Sequence, residues 1–543
     1  MLDRYDELYA SFRWTVPQRY NIAQACCGQW APDRSRVALY WEDESGASAT
    51  YTFWDVQVAA NRLSNALAGL GVKRGDRVAI ILPQRPETAI AYMAIFQMGA
   101  IALPLSHLFG PEALEYRIDH AGACVAIVEP TTLANLWAVK DKLPQLRHII
   151  GVGGARETGV HAYEALLDKA SANFSALDTA ADDPAIIIYT SGTTGAPKGA
   201  LQAHRLVIGN LTGFVHSHDF FPQPGDVFWS PADWAWAGGL FDALLPTWAF
   251  GLPILGYRGR FDAERAYYLL EKYRIRNSFL FPTALKLMMK AVPEPRRRFQ
   301  LKLRSIMSAG ESVGVTVIEW AKSELGVTIN EMFGQTEINY VVGNCQAAWP
   351  VKPGSIGRAY PGHRVAVIDD KGNELPPGEL GEIAIHRKDD PVFFLEYWKN
   401  PQATKDKFIG DWGCTGDQGK TDADGYFWYQ GRSDDVIKSS GYRIGPAEIE
   451  SCLVKHRAVA NAAVIGKPDE TRGAIVKAFI VLQPGESPSP TLIEDIQSHV
   501  RGRLAPYEYP REIEFIDALP MTTTGKVQRK ELRKREEAKL GRT

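Results

Sequence analysis

Short apolar runs and segments of helical period take turns along most of this chain. That alternation constrains its fold more than any other feature. TFWDVQVAANRLSNALAGLG carries apolar residues at helical spacing and ends at Gly71, where a C-terminal glycine belongs. RVAIIL, suited to a buried strand, comes next, followed by the helical PETAIAYMAIFQMG, the extended IALPL, the helical GPEALEYRIDHAG and then CVAIV. The pattern predicts a doubly wound α/β sheet with helices on both faces. It resumes at Ala185 through AIIIYT, NSFLFP and SIMSAGE. After Gly354 the character changes: RVAVIDDKGNELPPGELGEIAI alternates apolar and polar residues around turn signals, which predicts antiparallel hairpins or a small β-barrel. Beyond GRSDD comes a shorter α+β stretch with a helix from Pro446, strands at AAVIG and VKAFIVL, and a closing helix. The expected architecture is α/β, with a large N-terminal domain of doubly wound sheets plus a small β-barrel over residues 1–433. A small α+β C-terminal domain follows over residues 434–543.

At 543 residues the chain exceeds one ordinary core, which agrees with two domains. A net charge of −2 gives no basic excess for nucleic acid or an anionic membrane surface. The six cysteines show neither CxxC nor Cys/His zinc spacing, so a reducing cytoplasm is expected. The acidic, aromatic start MLDRYDELYASFRW is unlike a targeting peptide. The most apolar stretch, Ala89 to Leu105, is broken by Gln97, Gly99 and Pro104 and falls short of a span of ~20 residues. It reads as a buried helix, a glycine turn and a buried strand, and the protein as soluble.

YTSGTTGAPKGA, from Tyr189 to Ala200, concentrates hydroxyls and glycines around one lysine. If AIIIYT is a strand ending at Thr190, the loop hangs from the C-terminal edge of a sheet, where doubly wound folds bind ligands. Glycines let backbone N–H groups curl around an anion, and Lys198 adds mobile positive charge. This is not the GxxxxGK[ST] loop that leads into a helix, because Pro197 precedes the lysine and GALQA follows as a strand.

The stretch resembles the phosphate loop of the adenylate-forming superfamily, which contains acyl-CoA synthetases, peptide-synthetase adenylation domains and luciferases. SAGES, MFGQTE, CTGD, GRSDDVIKSSGYRIGPAEIE and PMTTTGKVQR follow in the family's order, so the resemblance covers nearly the whole chain. It implies a two-step reaction. A carboxylate attacks the α-phosphate of ATP to form an acyl-adenylate, and the thiol of CoA then displaces AMP. Joining two anions requires charge neutralisation and in-line positioning.

In that reading Thr190, Ser191, Gly192, Thr193, Thr194 and Gly195, with Lys198, hold the β- and γ-phosphates. Gly310, Glu311 and Ser312 lie along adenine. The segment from Glu331 through Met332, Phe333, Gly334 and Gln335 leads to Thr336, which meets the α-phosphate, and to Glu337, which holds magnesium. Phe333 stands where the family commonly has tyrosine. Asp417 resembles the carboxylate that accepts both ribose hydroxyls, with Arg432 near the ribose or phosphates. Asp434 matches a hinge on which the C-terminal domain moves. Lys526, which could otherwise be one more lysine of a basic tail, resembles the cation that reaches the carboxylate and α-phosphate oxygens. Acetylation there would remove its charge. Ser440 and Gly441 resemble the CoA channel, Arg443 resembles a side chain that helps bind ATP phosphate in one pose or CoA in the other, and Arg472 is matched equally by a CoA contact and by a solvent-facing loop arginine.

For the acid, PADWAWAGGL resembles the segment whose tryptophan, Trp236, walls the acyl site. Ala237, Gly238 and Ala309 are small, and Gly334 stands where acetate-specific relatives carry a tryptophan. Each removes volume, and a buried methylene is worth about 0.8 kcal/mol, which favours a medium-chain, branched or aromatic acid over acetate. A short-chain or aryl-acid ligase is the nearest rival, a luciferase-like oxygenase the next and a non-catalytic nucleotide-binding scaffold the third. A homodimer would be ordinary for such an enzyme.

Overall fold

The computed structural model describes all residues except 1–2, 191–195, 311–312, 434, 436, 440–441, 470–472, 502, 505–507, 523–525 and 541–543. The chain divides into two compact units. The first comprises Met1–Val351, Ala359–His363 and Arg387–Asp406; the second comprises Lys352–Arg358, Arg364–His386 and Lys407–Thr543.

In the first unit the alternating pattern becomes two twisted sheets. One has eight strands, in the spatial order Glu396–Tyr397, Lys198–Ala203, Pro184–Thr190, Ile101–Pro104, Arg77–Ile81, Val125–Val128, His148–Gly151 and Val160–Ala162. From Pro184–Thr190 onward its pairs are parallel, and Lys198–Ala203 runs antiparallel to both neighbours. All four residues of Val125–Val128 are buried, as expected of a parallel strand covered on both faces. In the second sheet Asn277–Phe279, Ser305–Ala309 and Ile329–Phe333 lie side by side and parallel.

Helix Phe53–Gly69 starts at a capping box, with Thr52 Oγ1 accepting from Asp55 N at 3.2 Å. Such a cap contributes about 1 kcal/mol. The apolar stretch tested above as a membrane span is helix Pro86–Gln97, Gly99 at φ +63° and strand Ile101–Pro104. Among the described residues no helix is long and apolar enough to cross a membrane.

In the second unit residues 369–380, which contain the DKGN turn, join Val365–Ile368 to Gly381–His386 as an antiparallel pair. Trp412–Thr421, Phe408–Ile409 and Phe427–Arg432 extend this into a five-stranded half-barrel sheet. Ile437–Ser439 pairs with Tyr442–Ile444, and helix Pro446–Leu453 follows. Val459–Asp469, Gly473–Leu482 and Glu512–Phe515 form a small sheet before the last helix, Arg529–Leu540. The barrel strands therefore share a unit with the C-terminal α+β segment.

Candidate functional site

Thr190 and Lys198 face each other across the antiparallel pair that carries the phosphate loop, and the Thr190 hydroxyl donates to the Lys198 carbonyl at 3.4 Å. Ser191, Gly192, Thr193, Thr194 and Gly195 lie outside the described residues. The loop's exit is fixed by Tyr116, whose hydroxyl donates to the Pro197 carbonyl at 3.0 Å. Lys198 Nζ stands 5.0 Å from the ring centre of Tyr397. That tyrosine belongs to the short strand Glu396–Tyr397, which pairs with Lys198–Ala203 in the register Tyr397–Ala200.

The MFGQTE segment leaves strand Ile329–Phe333 and turns tightly, with Gln335 and Ile338 exchanging backbone hydrogen bonds at 2.9 and 3.1 Å. The turn presents Thr336 and Glu337. Gln202, fully buried on the strand that begins at Lys198, donates its amide to the Thr336 carbonyl. Glu337 is 7% exposed, and its Oε1 accepts the Tyr397 hydroxyl at 2.5 Å. Tyr397 and Gln202 thus tie the phosphate-loop strand to the GQTE turn. The sequence reading missed both.

Glu331 and Met332 are buried, and Phe333 is half-buried at the strand end. Glu331 Oε1 accepts from Val313 N at 3.0 Å. Burial pushes its carboxyl up to about 7, against the pull of that N–H. Through that bond Glu331 holds Val313, three residues beyond Gly310, whose φ of +95° favours glycine. Glu311 and Ser312 are outside the described residues.

Trp236 is half-buried and meets Phe109 edge-on at 5.7 Å. Its segment is anchored by Asp233, which accepts Ala235 N at 3.0 Å and Ser106 Oγ at 3.0 Å. At two of the small residues a side chain would meet a neighbour in the Cβ direction. A Cβ on Gly238 would lie 2.7 Å from Cε1 of Phe279, and one on Gly334 would lie 2.5 Å from Tyr340 N. The Phe279 ring fills the first gap, and returning backbone requires glycine at the second. Ala237 and Ala309, both half-buried, carry what remains of the volume argument. Behind Gly334, the Asn339 amide donates to the buried Asp242, whose carboxyl burial pushes well up despite that bond.

In the second unit Asp417 and Arg432 face each other on paired strands, and Arg432 Nη1 lies 3.3 Å from Asp417 Oδ1 and 3.2 Å from the Thr415 carbonyl. Gly416, at φ +75°, lets this arginine approach, since a Cβ there would lie 2.9 Å from its Nη2. Lys526 is exposed; its N–H donates to Thr522 Oγ1 at 3.0 Å and its carbonyl accepts Thr522 N at 2.7 Å. Three residues on, Arg529 Nη2 donates to both Glu450 carboxylate oxygens, at 2.6 and 2.8 Å, and Arg533 reaches Asp435 at 2.6 Å. Arg443 lies in register with Lys438, and its side chain is not described; Asp434, Ser440, Gly441 and Arg472 are outside the described residues.

The donor set around Glu337 fits magnesium, which commonly takes one or two carboxylates and completes its shell with phosphate oxygens and water. Among the described residues no group of three or more His, Cys, Asp or Glu side chains stands ready for a metal. A nucleotide-completed site is thus the arrangement this donor set suits.

Comparison with known proteins matches residues 28–398 to the model of the AMP-binding enzymes and residues 448–526 to the C-terminal domain of AMP-binding enzymes. The chain is 38% identical over 525 residues to the uncharacterized acyl–CoA ligase YtcI of Bacillus subtilis (strain 168), covering 96% of this chain and 97% of that one. It is 35% identical to the acetyl-coenzyme A synthetase of the same organism, covering 98% and 95%. Among solved structures it resembles the anthranilate CoA ligase AuaEII in complex with anthranoyl-AMP, with TM-score 0.87, 30% identity and coverage of 97% and 99%.

Proposed function

The chain belongs to the family of AMP-binding enzymes, and from that premise we propose that its substrate is a medium-chain, branched or aromatic monocarboxylic acid. It is an AMP-forming acid–CoA ligase that uses ATP, magnesium and CoA. In the first half-reaction a carboxylate oxygen bonds to the α-phosphorus while the bond to pyrophosphate breaks. In the second the CoA sulfur bonds to the acyl carbon and AMP leaves.

The observation that supports these roles most is the joining of Lys198, Thr336 and Glu337 through Tyr397 and Gln202. In this reading Thr190, Lys198 and the loop hydroxyls meet the outgoing pyrophosphate. Thr336 meets the α-phosphate, and Glu337 holds magnesium, which when bound offsets phosphate charge. Asp417 and Arg432 take the ribose. Lys526 approaches the α-phosphate by rotation about Asp434, and Ser440, Gly441, Arg443 and Arg472 line the CoA path in the second pose. Acetylation of Lys526, a homodimer and a cytoplasmic location belong to the same proposal.

Ala237 and Ala309 support the longer acid. A short-chain reading is favoured by one specific observation, the Phe279 ring that fills the gap beside Gly238. AMP release from ATP and magnesium, with and without CoA, across acids from acetate to dodecanoate plus isobutyrate and benzoate, separates the two. A CoA-dependent maximum beyond propionate is expected. A maximum at acetate would overturn the longer-acid reading and leave the ligase standing.

A further inference from the structure

Tyr397 is 6% exposed and lies outside every motif used above. The backbone on either side of it is held: Leu395 N donates to Leu201 O at 2.8 Å, Trp398 N to Gly199 O at 2.7 Å and Phe394 N to Glu337 O at 2.9 Å. Tyr397 N also donates to Thr404 Oγ1 at 2.9 Å. The ring lies between Lys198 and Glu337, with the Phe394 ring edge-on at 4.9 Å. A buried phenol needs some acceptor, and any backbone carbonyl would serve. This one meets a carboxylate oxygen at 2.5 Å, the length of a charge-assisted bond. The bond restrains the orientation of the carboxylate through Oε1. On the other side Lys198 Nζ, 5.0 Å from the ring centre, is within cation–π reach.

We propose that Tyr397 is a positioning residue for adenylate formation, orienting the Glu337 carboxylate with its hydroxyl and holding Lys198 with its ring. This rests on the reading of Glu337 as the magnesium carboxylate and of Lys198 as a phosphate ligand. Hydrogen-bonded partners of a ligating carboxylate set its orientation and basicity, and their removal weakens metal binding by about 10–100-fold. One side chain thereby couples two charges that must act on the same triphosphate.

The test uses the full-length protein and calorimetric titration of ATP, without acid, in the presence and absence of magnesium. The readout is the fold-gain in ATP affinity that magnesium confers. Tyr397→Phe, which keeps the ring, is expected to cut that gain by about 10-fold or more. The double variant with Glu337→Gln should be no worse than Glu337→Gln alone, because the tyrosine acts through that carboxylate. Tyr397→Leu should in addition weaken magnesium-free ATP binding by a few-fold, through loss of the ring under Lys198 (roughly a cation–π contribution).

A full magnesium gain in Glu337→Gln would overturn the reading of Glu337 itself. A lost gain in Glu337→Gln beside an intact one in Tyr397→Phe would overturn the role of Tyr397 alone. Additive losses in the double variant would also overturn it, since they would mean a general defect of the fold. Thermal melts identify any unfolded variant, and the Tyr397→Phe cycle decides the matter even if Tyr397→Leu does not fold.

Discussion

Glu337, in the first unit, is nearly buried and has its carboxylate bonded, whereas Lys526, in the second, is exposed and has its backbone bonded to Thr522. Around Glu337, side chains reach across from neighbouring strands to hold individual atoms: Tyr397 the carboxylate, Gln202 the Thr336 carbonyl. Around Lys526 the nearest strong anchor is one step removed, at the Arg529–Glu450 ion pair. The difference separates two ways to supply charge. A group that meets the nucleotide in its ground state gains from being fixed beforehand. A group delivered for one half-reaction needs a free tip on a firm base.

The largest effect expected from breaking this contrast comes from the base. Arg529→Ala would leave the mostly buried Glu450 unpaired, its carboxyl already raised by burial in spite of Arg529. A loss of about 3–5 kcal/mol is expected of the second unit, read as a lower urea midpoint, and adenylation should fall with it. Next comes the tip. Lys526→Ala should lower adenylation, measured by pyrophosphate exchange, by roughly 100–1,000-fold with an unchanged melting temperature, because the side chain is exposed. A comparable loss in the thioester step, started from the acyl-adenylate, would contradict its assignment to the first half.

The smallest effect sharpens the first-unit side. Glu331 keeps its proton in the folded protein up to about pH 7, against an ordinary value of 4.5, because of burial. Its stabilising contribution is therefore complete below about pH 4.5 and is lost as pH rises through about 7. Glu331→Gln retains an acceptor for Val313 N and should flatten that slope. At pH 8 it should be the more stable form by roughly 3 kcal/mol, with no difference at low pH. A slope that survives the substitution would show that another group titrates there.

The strands flanking the phosphate loop were legible because AIIIYT and GALQA are short apolar runs with glycine turns beside them. The half-barrel hairpin was legible from its DKGN turn. Tyr397 was not, since a two-residue strand carries no period and its partners lie 60 and 199 residues away. Gln202 is a polar residue within the strand GALQA, and it is buried with a carbonyl to bond, which the sequence does not show. Gly334 and Gly238 were read as missing volume. Spacing gives residue size but not the direction of a Cβ, and here those directions run into Tyr340 and Phe279.

Strand Lys198–Ala203 is paired on one side with a segment made just before it and on the other with Glu396–Tyr397, made much later. During synthesis its outer edge therefore stays unpaired until nearly two hundred further residues have left the ribosome. An open edge of apolar strand invites pairing with other chains. The two-residue strand that supplies Tyr397 also closes that edge, so a chain cut short before residue 396 would be prone to aggregate as well as inactive.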